Sequence, residues 1–272
     1  MRKIVILGAG ILISILIAGW LALTGYQRWM YRDAEPVSFE VDGSPIEIIP
    51  LEKVAEMLAQ LNQESARRDL QRLTGAAPIC IASNCTTIKH RRTGSEGLVW
   101  AKDYISSELL GLGYSVEIQD WSTSGFADQN ILALKAGTVQ PEEWVYFIAH
   151  MDSKLLTPGT DDNASGVAGL LALARVIQNY SFERSVGLLF TSGEEQGAFG
   201  VWNYINQLTP QELNDIIYAI NVDMIGFDAN QDGVMELWHA NHPPSMALAQ
   251  IMHATIKAYQ LELKPGFVVG CG

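Results

Sequence analysis

Apolar positions along this chain recur with two periods, and the switches between them mark out the elements. Residues 51–73 carry Val54, Leu58, Leu61 and Leu70 among their apolar positions, which predicts a helix there. A second helix is predicted over 99–110 and ended by Gly111-Leu112-Gly113. Short apolar runs at 114–121, 130–135 and 144–149 read as strands. Val167, Leu170, Leu171, Ala174 and Ile177 then fall on one face of an amphipathic helix over 164–179, with Asn163 or Ser165 placed to cap its first turn. A strand at 185–191, a helix at 197–207, strands at 218–222 and 235–238, and a helix at 245–259 complete the order. Strands alternating with helices predict an α/β fold: a three-layer sandwich with a mixed, largely parallel central sheet flanked by helices.

The amino-terminal pattern has neither period. Residues 4–26 hold no charge and follow Met1-Arg2-Lys3. The run is about the length of a bilayer-spanning helix, roughly 20 residues. A secretory signal peptide shares the basic start and apolar centre, with Ala22-Leu23-Thr24 as a weak cleavage candidate, but the run is long for one. The expected division is a cytoplasmic tip and transmembrane anchor over 1–27, a connector over 28–50, and one domain over 51–272. Arg2 and Lys3 place the short end in the cytoplasm and the domain outside it, periplasmic or extracellular, although Arg28 and Arg32 pull the other way.

With 48% hydrophobic residues among 272, the chain can bury a large core. Its net charge of −12 argues against nucleic acid as a partner. Cys80 and Cys85 would close a small disulfide in an oxidising compartment, although the spacing also resembles half a metal site. The basic stretch His90-Arg91-Arg92 reads as a solvated turn.

The candidate chemistry gathers where strands end, which in open α/β sheets is where sites form. One strand runs into His150-Met151-Asp152, another into Glu194-Glu195 and a third into Asp223, while Asp161-Asp162-Asn163 precedes the central helix. Carboxylates crowded together repel one another, and a divalent cation removes that objection. Imidazole with carboxylates and no thiolate suits Zn²⁺, with Mn²⁺ or Co²⁺ as substitutes. Asp152 leaves its strand on the same side as His150 and can orient the ring. Of the adjacent glutamates, one can bind metal while the other acts as general base.

The motifs H-x-D at 150–152, P-G-x-D-D-N-A-S-G at 158–166, G-E-E-x-G at 193–197 and V-D-M-I-G at 222–226 together resemble the co-catalytic di-zinc exopeptidases. That family includes bacterial leucyl aminopeptidases and the glutamate carboxypeptidase type. The resemblance implies a zinc-dependent exopeptidase acting on peptides, with two Zn²⁺ ions. It assigns His150 and Asp223 to one zinc, Glu195 to the other and Asp162 to both. It makes Glu194 the general base, Asp152 the support of His150, and the Asp162–Asn163 peptide cis. The family's second zinc also takes a late histidine, and the sequence ends at Gly270-Cys271-Gly272 without that motif. The expectation is either a natural chain that continues or an incomplete second site. His239, His242 and His253 are poor substitutes by context, and Asp228-x-Asn230-x-Asp232-Gly233 predicts an ordinary turn rather than a calcium loop. A glutaminyl cyclase relative, sharing H-x-D-S-K at 150–154, and a non-catalytic module of the same fold are the rival readings.

Overall fold

The computed structural model describes residues 48–228 and 231–270. The apolar run at 4–26, most of the connector and Cys271 lie outside the described residues. Among the described residues no helix is long and apolar enough to cross a membrane.

Where one helix was expected over 51–73 there are two, α1 (Glu52–Ala59) and α2 (Gln63–Leu73). Asn62 separates them: its backbone is extended and its side chain accepts a hydrogen bond from the Ser65 N–H at 3.1 Å. That is an N-cap, and it starts a new helix regardless of the apolar spacing on either side. Past this break the chain falls into two compact units, one of residues 61–224 and one that joins 225–270 to the segment before α2.

In the larger unit, α2 is followed by a hairpin of β1 (Ile79–Ile81) and β2 (Asn84–Thr86), closed by a disulfide between Cys80 and Cys85. The pair is thus a disulfide, not half a metal site. Helix α3 (Glu96–Gly111) begins at a Ser95 cap. Then come β3 (Ser115–Thr123), β4 (Phe126–Lys135), β5 (Gln140–His150), α4 (Gly166–Ile177), β6 (Arg184–Thr191), α5 (Phe199–Gln207), α6 (Pro210–Asp215) and β7 (Ile216–Asn221). The strands form one sheet in the order β3-β4-β6-β5-β7. The sheet is mixed, as expected, but only its β6-β5-β7 half is parallel; β3 and β4 join it antiparallel. A two-residue turn, Ser124-Gly125, with positive φ at both positions connects β3 to β4, and that tight hairpin forces the antiparallel pairing.

Helices cover both faces. Alternation along β5 sends Val145, Phe147 and Ala149 one way and Tyr146 the other. Tyr146 joins Leu132, Leu189 and Tyr204 of α5 in one cluster, with its hydroxyl accepting from Tyr204 at 2.8 Å. On α4 every residue except Arg175 is buried, so this helix is apolar on all sides rather than amphipathic. It packs between β5 and β6 of the sheet and the helices α2 and α3. Arg175 points at the α2 and α3 side, where it pairs with fully buried Asp69 and with Glu108, each at 2.5 Å. The Tyr104 hydroxyl donates to Asp69 at 2.6 Å.

The second unit contains α1, β8 (Val234–His239), α7 (Pro243–Ala258) and β9 (Lys264–Val269). Strands β8 and β9 pair in parallel, and Leu237, Ala249 and Phe267 form their core. Lys264–Val269 forms a strand because its apolar residues have β8 and α7 to pack on. Asp228 accepts from the Gly233 N–H at 2.8 Å, while residues 229 and 230 of the expected turn lie outside the described residues. His253 stacks edge-on against Phe267, with 5.5 Å between ring centroids.

Candidate metal centre

Three parallel strands end side by side and deliver the acidic and imidazole groups to one edge of the sheet. Val222 N–H donates to Ile148 O at 2.8 Å, so the chain beyond β7 is held in step with the end of β5. His150 is the last residue of β5, and Asp223 follows β7 by two. Asp162 reaches the same point from the loop that opens α4. Nε2 of His150 lies 3.1 Å from Asp162 Oδ1 and 3.5 Å from Asp223 Oδ1.

Asn163 sets that loop against β7. Its Nδ2 donates to Val222 O at 2.9 Å, while its Oδ1 accepts from Gly166 N at 2.9 Å and Met224 N at 3.4 Å. Of the two cap candidates it is therefore Asn163 that caps the start of α4. Ser165 instead donates to Asp161 O at 2.6 Å. Gly166 is obligatory here, because a Cβ would sit 2.2 Å from Val222 O. The Asp162–Asn163 peptide is cis, the form the resemblance implies.

Asp152 is fully buried and accepts three hydrogen bonds: from Thr93 Oγ1 at 3.1 Å, Glu194 N at 3.1 Å and Glu195 N at 3.2 Å. Its distance to His150 Nδ1 is 3.6 Å, too long for a hydrogen bond. The direct bonds of Asp152 thus hold the glutamate loop after β6, beside its nearness to the ring. Trp121 supports that loop from behind, donating to Ser192 Oγ at 2.9 Å and packing so closely that a Cβ on Gly193 would come within 2.6 Å of the indole.

Arg91 overturns the solvated-turn expectation: it is fully buried. Its guanidinium donates to four backbone carbonyls, of Met151 at 2.7 Å, Leu73 and Pro158 at 2.6 Å, and Gly159 at 2.9 Å. Burial pulls its pKa down to about 10, against the opposing pull of Asp152, Asp162 and Glu195. It remains charged at neutral pH and ties the loop over 151–159 to the end of α2.

The charges respond to this crowding. Burial works against a charged His150, but Asp152, Asp162 and Asp223 outweigh it and hold the ring's pKa well above its usual value. Asp162 is held below the carboxylate range, chiefly by His150. Burial raises Glu194, and Glu195, Asp223 and Asp152 add to the rise while His150 opposes it. Glu195 is also raised, first by burial, with Lys154 working the other way. Lys154 has no role in the sequence reading beyond closing the H-x-D-S-K string; its Nζ lies 3.1 Å from Glu195 Oε2 and 3.5 Å from Asp162 Oδ2.

These residues fit a cation. Both ring nitrogens of buried His150 and Oε1 of Glu195 have no hydrogen-bond partner, a costly state for buried polar atoms unless they coordinate something. One donor atom each from His150, Asp162 and Asp223 lies within 4.8 Å of the others. Imidazole and carboxylate without thiolate match zinc.

An α/β fold with such a cluster beyond the carboxyl ends of its parallel strands places a candidate cation site where open α/β sheets carry their ligands. The chain belongs to Peptidase family M28, whose sequence profile matches residues 130–268. It is similar to aminopeptidase YwaD of Bacillus subtilis, 32% identical over 99 residues covering 36% of this chain and 22% of that protein. It also resembles a probable zinc metalloprotease of Pyrenophora tritici-repentis, 24% identical over 225 residues, or 75% of this chain and 46% of the fungal one. The chain thus spans less than half the length of these curated relatives. Among solved structures, the zinc aminopeptidase BSAP from Bacillus subtilis shares the fold, with a TM-score of 0.58 at 14% identity over 77% of this chain and 85% of that one.

Proposed function

We propose that this protein is a zinc-dependent exopeptidase, most simply an aminopeptidase that releases amino-terminal residues from peptides. The observation that carries the reading is the buried His150 imidazole set against Asp162 and Asp223, with Glu194 on the neighbouring loop. His150 and Asp223 would hold one ion, Asp162 would share it with a second, and Glu195 would hold that second. The chemistry such an ion supplies when bound is Lewis-acid polarisation of the scissile carbonyl and acidification of water. The chain's own residues do the rest. The Glu194 carboxylate takes a proton from the attacking water and returns it to the leaving amine. Its raised pKa suits that double duty, because the acid form is then accessible after the first transfer. Asp152 keeps the Glu194 and Glu195 amides in place, so the base and the ligand beside it move as one piece.

A panel of aminoacyl and carboxypeptidase substrates with zinc tests the reading. Release of amino-terminal residues is expected; ring closure of an N-terminal glutamine peptide without release would favour the cyclase reading instead. We further place the domain outside the cytoplasm, on a membrane anchor at 1–27. The Cys80–Cys85 disulfide supports an oxidising compartment. Mass mapping of protein from its native source should find these cysteines joined, and two free thiols would refute the location.

A further inference from the structure

The loop after β5 turns Lys154 back over the acidic cluster. Its side chain is 68% exposed, yet its ammonium contacts Glu195 Oε2 and Asp162 Oδ2. Glu195, by contrast, has a side chain only 4% exposed and an Oε1 with no hydrogen-bond partner. Asp162 is divided between two partners: Oδ1 faces the His150 ring and Oδ2 faces the Lys154 ammonium. Among the described residues, the atoms close enough to hold a metal together come from His150, Asp162 and Asp223; Asp162 and Glu195 have no third such donor.

We propose that the Lys154 ammonium is the resident counter-ion of the Asp162–Glu195 half of the centre and competes there with a second divalent ion. The inference rests on the metal-centre reading above. Two neighbouring carboxylates, one of them buried, need positive charge beside them. An ammonium supplies it as a point charge on a flexible stem and imposes no coordination geometry. Because the lysine is largely exposed, it can return to water when a dication arrives, leaving its stem on the surface. The first ion, on the His150 side, does not have to displace it. The chain should therefore bind one ion firmly and the second only at the expense of two ion pairs. Such half-exposed pairs are individually weak, so displacing both should cost the second ion about tenfold in affinity.

Calorimetric titration of the metal-free 272-residue chain with Zn²⁺, in wild-type, Lys154→Met and Lys154→Arg forms, tests this without reference to activity. Two events are expected in each. In Lys154→Met the second should tighten by about tenfold relative to the first, while Lys154→Arg keeps the wild-type spacing between them. An unchanged second event in Lys154→Met, or no second event in any form, overturns the competition. Loss of the first event in the wild type would be a different result, and it would overturn the metal-centre reading itself.

Discussion

Glu194→Gln is expected to retain bound zinc and to lower peptide hydrolysis by about two to four orders of magnitude, the range typical of general-base loss. The amide has nearly the shape of the carboxylate, and the loop should stay where it is because Asp152 holds the backbone of residue 194 rather than its side chain. Only the capacity to take a proton is removed. The contrast is Glu195→Gln, where the buried carboxylate itself is a ligand candidate, so metal content should fall. Steady-state rates paired with metal analysis of both variants check this. Near-normal turnover by Glu194→Gln with zinc still present would remove Glu194 from the mechanism.

Arg91→Ala should be among the most destabilising single changes in the chain, by about 4 kcal/mol, the cost of breaking up a buried charged assembly. Four carbonyls, from Leu73, Met151, Pro158 and Gly159, would lose their donor at once. Unsatisfied buried groups cost ~1–3 kcal/mol each, although water entering the space would recover part of that. Arg91→Lys should rescue little, because one ammonium cannot span four carbonyls on three segments. Denaturant unfolding of the three proteins decides the point, and a loss below about 1 kcal/mol for Arg91→Ala would mean the carbonyls find other partners.

The two arginines show where the sequence stops being legible. His90-Arg91-Arg92 has the composition of a surface turn, and nothing local distinguishes the middle residue. Its burial depends on carbonyls contributed by residues 18 to 68 positions away. Arg175 is similar: α4 was read as amphipathic because the partners of its single charge, Asp69 and Glu108, belong to other helices. The parallel half of the sheet and the acidic cluster were legible for one shared reason. Each strand is an apolar run that gives way to polar residues, buried His150 and Asp152 among them, and parallel strands put those ends at the same edge. That the sheet is mixed was legible, but which strands are antiparallel was not, because the evidence for that is a two-residue turn and not a period. The break before α2 was missed because Asn62 sits within an apolar spacing that runs straight through it. Lys154 and the backbone bonds of Asp152 depend on how loops return over the site, which no spacing encodes.

Asn163 places a constraint on how this centre can change over evolutionary time. One side chain donates to the end of β7 and accepts from the start of α4. Aspartate has the same shape but only accepts, and would face the Val222 carbonyl with like polarity. Leucine would match the volume and offer neither bond. Glutamine would carry the amide one methylene beyond the positions from which Asn163 reaches Val222 O and Gly166 N. None of these three replacements therefore keeps both bonds, and with them the register of the two loops.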